Sequence, residues 1–129
     1  MKPFKFQTTG SILSEVGSTA KIGEIMAGMG CRNVAFVTDA MILKLGLADT
    51  ALDGLKKAGI AVHIFQDVVA DPPEGMILKA VDEAKAAGID GVVSVGGGSS
   101  MDTAKLIAVL CGQTGQTIDQ MYGVGMVKG

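Results

Sequence analysis

The sequence predicts an α/β fold: a parallel sheet flanked by helices, with an amino-terminal β-hairpin ahead of it, all within one domain over residues 1–129. Two patterns carry that expectation. Short apolar runs rich in β-branched residues alternate with stretches in which apolar residues recur every three to four positions. Those stretches close on glycines, and nineteen glycines among 129 residues, set against one tyrosine, four phenylalanines and no tryptophan, point to close backbone approaches.

Taken in order, residues 4–7 and 11–14 read as two extended pieces turned at Thr9-Gly10, the hairpin. From Ser18, a good N-cap, Ile22, Ile25, Met26 and Met29 follow the i, i+3, i+4, i+7 pattern of a helix with one buried face, and Gly30 stands where a C-cap glycine belongs. Residues 33–37 (NVAFV) suit a strand covered on both faces, ended by Thr38-Asp39. Ala51, Leu52 and Leu55 mark a second helix closed by Gly59, and residues 60–65 a second strand. After Asp71-Pro72-Pro73, Ile77, Ala80, Val81 and Ala84 mark a third helix closed by Gly88, leading to a strand at residues 91–95. Ser99 opens a helix carrying Ala104, Ile107, Ala108 and Cys111 and ended by Gly112. The remaining residues 113–129 are polar and glycine-rich, with a turn at residues 117–122. Strands separated by helices cannot pair through tight turns, so the sheet is expected to be parallel with right-handed crossovers.

Composition excludes several classes of partner. The net charge is −2 and the basic residues are scattered apart from Lys56 and Lys57, so no stripe tracks a nucleic-acid backbone. With 48% hydrophobic and 19% charged residues the chain is too apolar for disorder, yet no apolar run approaches the roughly 18 residues of a membrane span. The opening MKPFKFQTTG lacks the apolar core of a secretory signal, which makes the cytoplasm the expected compartment. Cys31 and Cys111 fit neither a disulfide framework nor a zinc spacing and are expected to be reduced, half-buried thiols. The one histidine, His63, lies on an alternating strand with no second ligand beside it and reads as packed or edge-exposed. The eight methionines read as core filler, with Met101, Met121 and Met126 facing the surface.

The most informative stretch is residues 92–105, where a buried strand runs into Gly96, Gly97 and Gly98 and then into a helix beginning Ser-Ser-Met-Asp. Missing Cβ atoms let a ligand approach the backbone, and the free N–H groups of the helix start, carrying about half a positive charge, face whatever lies beyond the strand end. That arrangement is a phosphate cradle. The plainer alternative is a tight turn with Ser99 as cap and Asp102 completing a capping-box-like pair. No Gly-Lys-Ser/Thr follows the glycines and the spacing is not G-x-G-x-x-G, so neither the Walker loop nor the dinucleotide fingerprint is present.

GGGSSMDTAK at residues 96–105 resembles the GGGSxxDxxK signature of the iron-containing, or group III, alcohol dehydrogenase family, and VTDA at residues 37–40 resembles its strand-end VTD. Residues 12–18 are similar to the second hairpin strand and the glycine before its first helix, residues 70–73 to its Asn-Pro segment, and residues 119–123 to its Asp-Tyr-x-Gly stretch. Two positions depart from the pattern: Ser14-Glu15 stands for the family's Phe-Gly, and Asp71 for its asparagine. The resemblance implies a Rossmann-like sheet in which Gly96, Gly97, Gly98 and Ser99 hold a dinucleotide pyrophosphate and Asp39 accepts hydrogen bonds from the adenosine ribose. A carboxylate there binds a ribose diol and repels a 2′-phosphate, favouring NAD over NADP. Asp102 would lie near the nicotinamide or serve only the Ser99 cap, and Lys105 is expected to be structural, its stem along the sheet. Asp71 either keeps a contact near the cofactor, adding a negative charge beside a polyanion, or caps the helix at Pro73.

Members of that family carry a second, helical domain that supplies one aspartate and three histidines to a divalent metal, usually iron. With one histidine, that site is not expected in these residues, and no catalytic or metal-binding residue is assigned here. The chain is therefore expected to be the NAD-binding half of a metal-dependent alcohol dehydrogenase, passing hydride between a small alcohol and nicotinamide only together with the missing domain, inactive by itself and self-associating through its uncovered apolar surface. The alternative is a stand-alone nucleotide-binding or subunit-interaction domain without catalysis. A phosphotransferase is disfavoured by the lack of a second glycine segment bearing a catalytic aspartate.

Overall fold

In the computed structural model, which describes residue 3 and residues 10–112, the apolar runs form three strands, β1 (Asn33–Val37), β2 (Ala61–Phe65) and β3 (Gly91–Ser94). They are parallel and ordered β2-β1-β3. The central position of β1 explains its composition: Val34, Ala35, Phe36 and Val37 are all fully buried, because helices cover both faces. On one face Val34 and Phe36 join Val93 of β3 in a layer with Met26, Ala48, Ala51 and Leu55, while on the other Val37 meets Ile77, Val81, Ala84, Ala104 and Ile107.

Five α-helices supply those layers among the described residues: α1 (Ile22–Gly28), α2 (Ala40–Lys44), α3 (Asp49–Lys57), α4 (Glu74–Ala87) and α5 (Gly98–Cys111). Ile77, Val81 and Ala84 lie on one stripe of α4, which starts after Pro73 and ends on Gly88. On the other face α1 crosses α3 at two glycines. A Cβ on Gly23 would land on the Gly54 carbonyl, and one on Gly54 would lie 2.7 Å from the Ala20 carbonyl oxygen, so the two backbones touch directly.

The structure corrects several expectations. Residues 11–14 are exposed and belong to no strand, with no pairing partner among the described residues; the hairpin's first piece, residues 4–7, and Thr9 lie outside the described residues. Ser18 is not an N-cap: Gly17 enters with φ 79° and Ser18–Lys21 form a 3₁₀ turn that leads into α1 without a side-chain cap. The helix α2 was not expected, and the second and third strands each lose one residue. The turn at residues 117–122, the family-like stretch at residues 119–123, Met121 and Met126 lie outside the described residues. Cys31 and Cys111 are free and half-buried, as expected. Among the described residues no helix is long and apolar enough to cross a membrane.

The chain order places a crevice at the sheet's carboxyl edge. After β1 the chain leaves through α3 on one face, whereas after the adjacent β3 it leaves through α5 on the other. The connections from neighbouring strands diverge at their carboxyl ends, the point at which open α/β sheets bind ligands.

Candidate functional site

Beyond β3 the three glycines do different work. Gly96 has φ 152°, a conformation side chains avoid, and a Cβ there would sit 2.7 Å from Ser100 Oγ and 3.6 Å from Asp39 Oδ2. The fold itself demands that glycine. Gly97, in extended backbone at the N-cap of α5, and Gly98, its first residue, have nothing within 4 Å of an added Cβ. Among the described residues, nothing in the packing requires glycine at either position.

The amides at the start of α5 are correspondingly open. The first helical bond runs from the Met101 N–H to the Gly97 carbonyl at 3.1 Å; the N–H groups of Gly98, Ser99 and Ser100 precede it and find no protein partner among the described residues. No side chain caps α5 and its first turn holds no acidic residue. By contrast, the first turns of α1, α3 and α4 carry Glu24, Asp49 and Glu74, and Asp39 caps α2. The fourteen-residue α5 therefore presents an uncompensated positive dipole end to the crevice.

From β1, Asp39 reaches the same crevice. It is half-buried at the N-cap of α2, where Oδ1 accepts the Ile42 N–H at 2.9 Å, which fixes the carboxylate and leaves Oδ2 beside Gly96. The structure thus brings Asp39 and Gly96 together, with Gly97, Gly98 and Ser99 following in the exposed turn. Ser99 is the second residue of α5 and makes no capping bond, so the capping-box alternative for Ser99 and Asp102 is wrong; Gly96 sets the direction of the turn and puts Gly97 at the cap. Asp102 instead pairs loosely with Lys105 at 3.8 Å, both side chains pointing into solvent, so the Lys105 stem does not lie along the sheet.

Asp71 is exposed in the loop from β2 to α4, with φ 47°, and does not cap α4, whose N-cap is Pro73. Asparagine and aspartate are the side chains best tolerated in left-handed backbone, so the exchange between them leaves the loop's conformation accessible. No hydrogen bond ties Asp71 to Asp39 or the glycine turn among the described residues.

Two residues that sequence reasoning passed over complete the arrangement. Thr38, fully buried, donates its hydroxyl to the Val95 carbonyl at 2.7 Å, and Ser100, 2% exposed, packs beneath Gly96. Ser100 had no signal beyond its place after GGGS.

His63 lies elsewhere. Its Nε2 sits 2.8 Å from Asn33 Oδ1 at the amino end of the strands. The Asn33 amide nitrogen donates to the Ala87 and Gly88 carbonyls, which fixes Oδ1 as the group facing the ring and makes Nε2 the donor. Burial pushes the Cys111 thiol above its ordinary range, against an opposing pull from Lys85. Among the described residues no three His, Cys, Asp or Glu side chains converge as a metal would need.

Comparison with known proteins agrees with this fold. The sequence profile of iron-containing alcohol dehydrogenase matches residues 9–128. The choline dehydrogenase of Bacillus subtilis is 39% identical over 81% of this chain and 26% of its own length, and the NAD-dependent methanol dehydrogenase of Bacillus methanolicus 33% identical over 87% and 29%. The crystal structure of NADH-dependent butanol dehydrogenase A from Thermotoga maritima superposes with a TM-score of 0.77 at 35% identity, covering 84% of this chain and 28% of that one. The chain thus spans between a quarter and a third of the length of these relatives. A profile match over nearly every residue, joined to a strand–triple-glycine–helix turn at the switch point of a parallel sheet, places this chain in the iron-containing alcohol dehydrogenase family.

Proposed function

We propose that this chain is the NAD-binding part of a metal-dependent alcohol dehydrogenase. The observation that carries the reading is the division among the glycines: Gly97 and Gly98 leave open space above unpartnered amides that the protein's own packing does not use. A pyrophosphate fits that space by charge and by hydrogen-bonding capacity, since it accepts from several N–H groups at once. The Asp39 carboxylate, held by Ile42, stands one strand away to accept from a ribose diol. Its negative charge opposes a 2′-phosphate, which selects NAD over NADP.

Bound NAD would supply the hydride acceptor, and a divalent metal, with ligands from outside the described residues, would supply polarisation of the alcohol oxygen. The residues described here fit the dinucleotide and offer no group of metal ligands, so their part is to bind and orient the cofactor. Two relatives whose names state NAD or NADH dependence support the cofactor, and their alcohol substrates support a small alcohol as the hydride donor.

Calorimetric titration of the chain with NAD, NADP and ATP tests the reading. NAD is expected to bind more tightly than NADP, with ATP weaker than either; ATP binding in preference to both would overturn it. In the same preparation, ethanol, 1,2-propanediol or glycerol with added iron or zinc is expected to give no NADH above background, because catalytic metal sites need three protein ligands in place. Metal-dependent turnover would show that these residues hold a catalytic site of their own.

A further inference from the structure

The two strands that form the crevice part company where the site begins. Between β1 and β3 the final backbone rung is the Val95 N–H donating to the Val37 carbonyl at 3.2 Å. One residue later the backbone of β1 is committed to the other side: the Thr38 N–H donates to the Phe65 carbonyl at 2.9 Å, and Asp39 bridges to Asp67. Beyond Val95 the chain turns into Gly96. Among the described residues one hydrogen bond joins the diverging segments past that rung, from the Thr38 hydroxyl to the Val95 carbonyl at 2.7 Å.

The tie is well placed to be rigid. Thr38 is 0% exposed, so water does not compete for the bond, and its branched Cβ restricts χ1. Its two ends adjoin the two halves of the site, since Thr38 precedes Asp39 and Val95 precedes Gly96.

We infer that Thr38 is a positioning residue whose hydroxyl fixes the separation between the Asp39 carboxylate and the amides that open α5. It thereby sets the span that a ligand must have to engage both. The inference rests on the dinucleotide reading above and names the ligand chemistry that feels the tie: a nucleoside diphosphate whose ribose diol and pyrophosphate are held at once. A ligand that touches one half only is indifferent to the spacing.

The test compares Thr38→Val, which keeps the shape and removes the donor, with Thr38→Ser, which keeps the donor. In the full chain, Thr38→Val is expected to weaken NAD and ADP-ribose by about fivefold, the worth of one hydrogen bond, while adenosine and inorganic pyrophosphate, followed by NMR at high concentration, bind as before. Thr38→Ser is expected to restore NAD affinity. Equal weakening of all four ligands would reduce Thr38 to a general support of the fold and overturn the inference. So would unchanged NAD affinity in Thr38→Val when the parent chain binds NAD. Failure of the parent chain to bind any dinucleotide instead overturns the reading on which the inference stands. If Thr38→Val does not fold, hydrogen exchange in Thr38→Ala decides: faster exchange at the Val95 amide with β1 protection intact supports the tie, and loss of protection along all of β1 refutes it.

Discussion

The two ends of the sheet are built to opposite rules. At the amino ends of the strands the Asp90 carboxylate takes the N–H groups of Arg32, at 2.9 and 3.1 Å, and of Asn33, at 2.9 Å. Asn33 in turn donates to the last carbonyls around the end of α4 and accepts from His63. Donors and acceptors there answer one another within the protein. At the carboxyl ends the opposite holds, and the first amides of α5 point at open space beside glycines that the packing of the described residues does not need. The contrast separates support from the candidate site: polar groups satisfied internally hold β1, β3 and α4 together, whereas the amides opening α5 find no partner among the described residues.

The largest expected effect breaks that contrast in both directions. Gly97→Val adds a branched side chain whose Cβ meets no atom of the described residues within 4 Å, so the fold should keep its Tm while NAD affinity falls at least tenfold, about 1.4 kcal/mol. Asp90→Ala should do the reverse, lowering Tm while leaving NAD affinity untouched. Paired thermal melts and titrations of the two variants check it; a common loss of both properties would mean that the ends are not separable. The next effect concerns selectivity. Asp39→Gly removes the ribose acceptor and the repulsion of a 2′-phosphate together, so titration should show NAD weakened and NADP held or improved. An equal response of both dinucleotides would remove Asp39 from the site.

A third expectation follows from charge. Backbone N–H groups, first of Asn33 and then of Arg32, hold the Asp90 carboxyl below its ordinary 3.8. Because the folded-state value is the lower one, the unfolded chain binds more protons at acid pH, and stability rises with pH through this region. The contribution is complete above about pH 5 and is lost as pH falls through the lowered value. Urea melts across that window should show a shallower acid slope in Asp90→Asn than in the parent. The smallest effect is at Thr103, whose buried hydroxyl finds no partner among the described residues. Thr103→Val should raise stability by about 0.5 to 1 kcal/mol, measured by chemical denaturation, since it removes a buried group that gains no hydrogen bond.

Much of the fold was legible because burial leaves a direct mark on composition. Val34 to Val37 form an unbroken apolar run since both faces of β1 are covered, and α4 shows its stripe between Pro73 and Gly88. What was lost depended on backbone direction or on distant partners. The five residues of α2 are too few to show a period, and in the sequence Asp39 marks a strand end with no sign that it is also a cap. Ser18 and Ser99 have the chemistry of caps, yet Gly17 and Gly96 redirect the chain beside them and assign the caps elsewhere. The three consecutive glycines look alike in sequence; only the position of Ser100 beneath Gly96 separates the one required by the fold from the two left free. The bond from Thr38 to Val95 joins residues far apart in the chain and becomes visible only once β1 and β3 are neighbours.

The contact between Gly23 and Gly54 bears on how the molecule comes together. Because α1 meets α3 backbone to backbone, with the Ala58 and Ile22 side chains beside the two glycines, α1 lacks its mate until the chain through β1 and α2 has been laid down and α3 has formed. During synthesis α1 thus emerges before the helix it packs on, and its apolar side stays uncovered in the interval.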